Sequence, residues 1–539
     1  MINRTTQSLL GALGVLALAL GIAEAQPPKG QAAATGDSVR TAVQQTSLVC
    51  PPPVQGSSGS TQYSLAVPGG TGGSSATGSG SGAAGAKLTP LADPINGSAT
   101  SGSGSSAAPS PSASGSASAS ASASPHSSAS AHSSSSAQAS PSTAAGGPGA
   151  GPSASPIAQQ SQPGGTTTAK GPSGSNAPGM AATAGGALAP GFAVQQTTLT
   201  GVGLSGTGCT QAGTDFWFAG ADTNKGTSAY LELSNAQDAN ADADIQIYGT
   251  NGEIDDTSAA SINIPAHGTS QLLLSSLVQP GNDGQNLAIH VLVRSGQIAA
   301  ALHETQDNTG ADWIPSTALS PTAVIPGLPG DASKYGLTLA VPGDVDADLK
   351  VQLSSQGGWI TPAGHETIHI KAGMVDYVDL GNVTRGQPGT LRLTPTDPKV
   401  ATPFVATVQA SGDNDIAYVT GTSPVTRRGT VAGNPSGASI LLTAPSGAAT
   451  VTVSSLGGNG GSPTDKTVHI TAGSTVAIQP QAPSGASTFA VTITPTSGGP
   501  VYAARELGDK RGLTIQQIAD DGSTVLIPTV IQNPAILVQ

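Results

Sequence analysis

Tyr63-Ser-Leu-Ala-Val-Pro68 and Tyr335-Gly-Leu-Thr-Leu-Ala-Val-Pro342 are two copies of one short pattern. Weaker copies read Tyr230-Leu-Glu-Leu-Ser234 and Ala438-Ser-Ile-Leu-Leu-Thr-Ala-Pro445. Apolar side chains recur at every second position, so an extended strand would turn one face inward and the other outward. The neighbours of these runs repeat as well. A second strand reads Asp244-Ile-Gln-Ile-Tyr248, Leu349-Lys-Val-Gln-Leu353 and Thr450-Val-Thr-Val-Ser454. A third reads Ser261-Ile-Asn-Ile-Pro-Ala-His-Gly268, Thr367-Ile-His-Ile-Lys-Ala-Gly373 and Thr467-Val-His-Ile-Thr-Ala-Gly473. Copies recur about every 90 to 105 residues, the size of a small sandwich domain, with about seven strands in each. Gly, Pro, Asn and Asp bound the runs. The pattern predicts an all-β chain of tandem immunoglobulin-like β-sandwich repeats. A β-propeller-like closed repeat is the alternative, disfavoured because a blade takes only about 45 residues. The one helical candidate is a short turn near Ser275 to Val278.

The rest of the chain is organised around these repeats. Residues 1–25 carry Arg4, an apolar run from Leu9 to Ile22 and the small-x-small ending Ala23-Glu24-Ala25. They read as a signal peptide cut before Gln26, with an uncleaved anchor as the other reading. Residues 41–97 are expected to be the first half of a β domain. Residues 98–187, nearly all Ser, Ala, Gly, Pro and Thr, offer no apolar face that could offset their ordering entropy, and form a disordered low-complexity insert by composition. Such a tract also resembles O-glycosylated stalks. Residues 188–212 complete domain 1, and three further sandwiches follow at 213–318, 319–425 and 426–539. The final stretch from Thr524 is apolar enough for one more strand. Cys50 and Cys209 are the only cysteines of the 539 residues. They flank the insert and, in an exported chain, are expected to pair, with two free buried thiols as the alternative.

Charge and composition exclude several partners. The net charge is −12 and no basic run exceeds Arg427-Arg428, so the clustered cations that bind nucleic acid or an anionic membrane surface are missing. No second apolar stretch of spanning length follows the signal, so the mature chain is not expected to be an integral membrane protein. The expected location is secreted or extracellular, with association with the cell wall as its finer form.

The order of several motifs carries a resemblance: Leu48-Val-Cys-Pro51, the insert, Gly208-Cys209, Asp215-Phe-Trp-Phe-Ala-Gly220 and Ala229-Tyr-Leu-Glu-Leu-Ser-Asn235. This arrangement resembles a secreted actinobacterial family of uncharacterised proteins, domain of unknown function 5719. The resemblance implies a secreted β-rich protein and supplies no activity or site residue.

Two motifs invite chemistry. His365-Glu-Thr-Ile-His369 matches the H-E-x-x-H zinc pattern, which works on a helix, where both imidazoles share one face. Here the repeat places it on a strand, on which four residues span about 13 Å, too far for one zinc. Asp344-Val-Asp-Ala-Asp348 begins like a calcium loop, but Leu349 and Ser355 stand where the turn glycine and bidentate glutamate belong. Asp238, Asn240, Asp242 and Asp244 form a similar run, and solvated loop carboxylates are the expected reading of both. With no triad signature either, neither catalytic nor metal residues nor cofactors are assigned, and the chain is expected not to be an enzyme. The expected role is a non-catalytic cell-envelope structural or interaction protein, bound to an unknown envelope protein or polysaccharide. The alternative is an extracellular glycan-binding protein using Trp217, on a strand whose Phe216 and Phe218 should face the opposite way from Trp217.

Overall fold

The computed structural model describes residues 39–54, 59–69, 85–91, 96–97 and 154–527, apart from short gaps at 175, 255–258, 282–283, 308, 413–414, 459–460 and 511. The expected signal peptide and residues 98–153 of the expected insert lie outside them. Four units follow one another, each made of two antiparallel sheets with a core between. In unit 3 one sheet runs Ala323–Leu328, Gly389–Pro395, Ala347–Ser355, Gly358–Ile360, with Thr367–Ile370 also on Ala347–Ser355. The other runs Val375–Gly381, Lys334–Ala340, Val405–Ser411, Ile416–Thr420. Units 1, 2 and 4 repeat this order of strands. The alternation read from the sequence decides which side faces in. Leu349, Val351 and Leu353 are buried between the sheets while Asp348 and Lys350 are exposed. The fold is therefore all-β, as the repeats predict. The short turn near Ser275 is a single 3-10 turn, Leu274–Ser276.

One expectation needs correction. Part of the insert predicted to be disordered, from residue 154 to 187, is built into unit 1. Gly165–Lys170 pairs with Ser60–Val67, and Met180–Gly185 lies between Gln45–Cys50 and Ala86–Pro90. Met180, Ala182 and Ala184 fill the core of unit 1, and Thr166, Thr167 and Thr168 are β-branched residues suited to a pleated surface. Alanine-rich strands bury little area per residue, which is why composition hides them. Asn96–Gly97 also departs from the expected boundary, pairing in parallel with Thr269–Leu273 of unit 2.

The units are not separate beads. The last strand of each, Leu204–Gly208, Gly310–Ile314, Ile416–Thr420 and Gly512–Ile518, runs along a shared axis where these strands pack on one another in a closed cycle. At its head sits the carboxylate of Asp415. Its Oδ2 accepts the backbone N–H of Leu204 at 2.9 Å and of Leu513 at 2.7 Å. Its Oδ1 accepts the N–H of Ala311 at 3.2 Å and of Ile416 at 2.9 Å. One side chain thus binds a backbone donor from each of the four units. The corresponding positions in the other units are Gly203, Gly310 and Gly512, and a Cβ on any of them would stand 2.2 to 2.3 Å from an Asp415 carboxylate oxygen. There is room for one side chain only.

The cycle is fastened at its edges too. Thr524–Ile527 leaves unit 4 and pairs with Val39–Ala42, so the two ends of the described chain meet. Arg428 of unit 4 is ion-paired with Asp521 and donates to the carbonyls of Gly69 and Pro190 of unit 1. Between units 2, 3 and 4, and from 4 back to 1, the first strand of one unit bulges against the next. The bulges fall at Gly220, Gly327 and Gly433, all with positive φ, which lie against Thr338, Ala504 and Ser64.

Asp415→Ala would leave four backbone donors unsatisfied at once. It is expected to cost at least about 3 kcal/mol, because hydrogen bonds to a charged acceptor each contribute about 1.5 to 3. Gly310→Ala should also destabilise, whereas Gly343→Ala, where a Cβ meets nothing within 4 Å, should leave the melting temperature unchanged. Thermal melts of the three variants check this, and equal effects of the two glycine changes would contradict it.

Candidate functional site

Cys50 and Cys209 form a disulfide, as expected. It joins the end of Gln45–Cys50 to the residue following Leu204–Gly208, and so ties the first strand of unit 1 to its axial strand.

Trp217 is placed less favourably for binding. Phe216 and Phe218 point into the core of unit 2 and Trp217 the other way, as strand alternation requires. The indole is only 6% exposed, in a cluster with Tyr248, Ala288, Ala340, Val375 and Val405 that joins units 2 and 3. Its ring stacks on His290 at 4.0 Å. The packing of two units covers most of the ring, which also borders a cavity of about 870 Å³ between them.

The two lures resolve into local bonding. Thr367–Ile370 is a strand and His365 lies outside it in a turn. His369 bonds Asp348 through Nδ1 at 2.8 Å. Asn240 and Asp346 each accept the backbone N–H of a turn residue, Ala266 and Ala372 respectively, at matching positions of units 2 and 3. Asp242 bonds Asn263, and Asp244 holds Arg294 and the N–H of Ser261. The acidic runs thus brace turns. Among the described residues, no group of three or more His, Cys, Asp or Glu is placed to hold a metal ion.

The unusual chemistry lies at buried residues that the sequence did not single out, most of them on or beside the axial strands. Asp312 is fully buried; its Oδ1 accepts the Gly206 N–H and the Thr514 hydroxyl, both at 3.0 Å, and its Oδ2 has no partner. Burial pushes its carboxyl well above the usual range. Glu304, raised to about 7 by burial, receives the Tyr418 hydroxyl at 2.6 Å and the Asp222 N–H at 2.8 Å. Glu232 is pushed up to about 8 by burial alone and has one oxygen unpaired. Arg505 is fully buried, held down to about 9 by desolvation, and donates to the Ala432 carbonyl and the Gln516 side-chain oxygen. Asp415 is raised to about 6 by burial against the pull of its four donors, and is charged at neutral pH.

Beside this axis the packing of units is incomplete. Unit 1 presents Gln45–Cys50 to unit 2, but this strand keeps an unbroken register with Met180–Gly185 and has no bulge glycine. It turns away at Pro51 instead. The seam encloses a cavity of about 180 Å³, walled by Val49 and Pro51 of unit 1, Ala300 and Ile314 of unit 2, and Gln516 and Gln517 of unit 4. Both cysteines are flanked by its lining residues. Trp313 and Gln195 line it too. No charged side chain does.

A family described as a family of unknown function, DUF5719, matches residues 168–481, more than half of the chain. No curated protein matches it.

The buried acids set a pH dependence. Each has a folded value above its unfolded one, so the fold holds protons that the unfolded chain has released. Stability is therefore lost as pH rises through the folded values, from about 6 for Asp415 to about 8 for Glu232. His303, held down to about 3 by burial, acts in the opposite sense: below its ordinary 6.5 only the unfolded chain takes its proton. The melting temperature should thus be higher at about pH 6.5 than at about pH 8.5. Glu232→Gln should flatten the upper part of that slope, and a melting temperature that rises with pH over this range would overturn the assignment.

Proposed function

The chain belongs to DUF5719, a family of unknown function, and on that premise we propose that it is a secreted, non-catalytic cell-envelope protein whose four joined sandwiches serve as a rigid structural or interaction module. The observation that carries this reading is the Asp415 junction. A carboxylate that could do chemistry is committed to four backbone donors, one from each unit. The other shifted acids are likewise used inside the body, Glu304 by Tyr418 and Asp312 by Thr514. Shifted acids at catalytic sites lie in clefts that substrate can reach; these are sealed between units. The disulfide between Cys50 and Cys209 fits an oxidising location. No helix of the described residues is long and apolar enough to cross a membrane.

Fractionation of the native host and mass analysis of the purified chain test the reading. The chain should appear outside the membrane with its first residue at Gln26 and no titratable thiol. Crosslinking on intact cells should capture an envelope component. Recovery mainly from the cytoplasm with free thiols would overturn it.

A further inference from the structure

Where units 2 and 3 meet, two linkers and the start of a strand enclose a groove of about 870 Å³. It lies between residues 215–217 of unit 2, the linker 316–323 that leads into unit 3, and residues 421–423 that lead out of it. Its walls are fixed by backbone. The Thr317 N–H donates to the Trp217 carbonyl at 2.9 Å, Ser320 and Phe404 bond each other through both backbone groups, and the Thr422 N–H donates to the Val324 carbonyl at 3.1 Å. The Thr317 hydroxyl ties the two linkers together by donating to the Gly421 carbonyl at 3.2 Å. Walls held in this way have little freedom left to lose when a ligand settles against them.

The lining selects the ligand. Asp215, Ser316, Thr322 and Ser423 are solvent exposed, so their polar atoms can be reached from outside. The hydroxyls of Ser316, Thr322, Thr422 and Ser423 make no hydrogen bond within the described protein, and each can both donate and accept. Asp215 stands two residues before Trp217 and so on the same face of the strand. It is oriented from behind. His290, its side chain only 11% exposed, bonds the Asp215 Oδ1 through Nε2 at 3.1 Å and Gln246 Oε1 through Nδ1 at 2.7 Å, which leaves Asp215 Oδ2 as the free acceptor. A binding group held by a buried second layer is the construction expected of a recognition site. Among the described residues that line the groove Asp215 alone is charged. An anionic ligand would meet no cation there, and a polycation would find one carboxylate already bonded to an imidazole. Half-buried Leu319 and Ala323, with Trp217 at the floor, offer apolar surface to C–H faces. A lining that donates, accepts and is apolar in patches fits a ligand that is neutral, hydroxylated and apolar on its ring faces. Since about 150 Å³ accommodates one bare six-membered ring, a groove of this volume has room for roughly three or four hydroxyl-bearing rings. We infer that the groove between units 2 and 3 binds a neutral glycan segment, with Asp215 and the linker hydroxyls as its hydrogen-bonding groups. This rests on the reading of the chain as an interaction module and names what the module holds, while its test, on the purified chain, is separate from the test of location.

Isothermal titration of the full chain, disulfide intact, with maltotetraose, cellotetraose, mannotetraose and xylotetraose should give saturable binding to at least one of them. Asp215→Asn, which keeps the shape of the side chain and an oxygen for His290, should weaken that binding about tenfold. Ser423→Trp, at an exposed position on one wall, should block the groove and abolish binding with the melting temperature unchanged; Thr322→Trp, exposed on the other linker, should do the same and stands in if the first variant fails to fold. Ser436→Trp, equally exposed but in the groove between units 4 and 1, should leave binding as it was. Three results would each defeat the assignment: no saturable binding of any tetraose up to about 10 mM, binding of tetralysine or tetragalacturonate in their place, or tetraose binding that survives both blocking variants.

Discussion

Everything else in this molecule depends on four strand ends being able to meet at one carboxylate. An antiparallel sandwich ordinarily finishes on an edge strand whose unpaired N–H and C=O groups invite association. Here the final strand of each unit is turned toward the axis, where it packs on the final strands of two others. A leading N–H of each finds Asp415, that of the first residue in units 1 and 3 and of the second in units 2 and 4. The carboxylate satisfies donors that would otherwise be buried and orphaned, which is costly in a dry interior. The four-unit arrangement and the burial of this charge are thus one fact. Without the convergence Asp415 would be an expensive buried ion, and without Asp415 the convergence would leave its backbone donors unsatisfied.

The rest of the interior follows from that choice. Bringing four edges together places polar backbone at the centre of the body, and the side chains nearby are correspondingly polar. Ser205 donates to the Ala311 carbonyl across the junction of units 1 and 2. Thr390, Thr443, Thr475 and Ser354 form a hydroxyl network between units 3 and 4. Trp217 with its alanine and valine neighbours fills the corresponding place between units 2 and 3. The interfaces are alike in backbone and unlike in chemistry, and cavities remain beside three of them, of about 180 Å³ between units 1 and 2, about 870 Å³ between units 2 and 3 and about 400 Å³ between units 4 and 1.

The strands were largely legible, because a period of two shows in any stretch whose inner residues are large. Val351, Leu353, Val451 and Val453 could hardly be read otherwise. The strands of residues 158–185 were not, since Ala182 and Ala184 look like their Ser- and Gly-rich surroundings. The junction was harder still. Asp415 sits in Ser411-Gly-Asp-Asn-Asp-Ile416, which has the composition of a surface turn, and its partners are backbone groups that no side-chain pattern announces. The available signal was negative: Gly203, Gly310 and Gly512 stand at the head of the matching strands of the other units, three glycines answered by one aspartate. Trp313 and Gln516 were likewise hidden, because what marks them is a missing partner, a property only the folded arrangement has.

The order in which the chain is made bears on how this body assembles. Asp415 lies 211 residues after Leu204, 104 after Ala311 and 98 before Leu513. When units 1 and 2 have emerged, their axial strands have no acceptor for their leading N–H groups, and each remains an open edge. Contacts this distant in sequence are slow to form, and exposed edges in the interval are where neighbouring chains join. A half-built stage of this kind would be stickier than either the nascent strand or the finished cycle, because its axial edges would stand open.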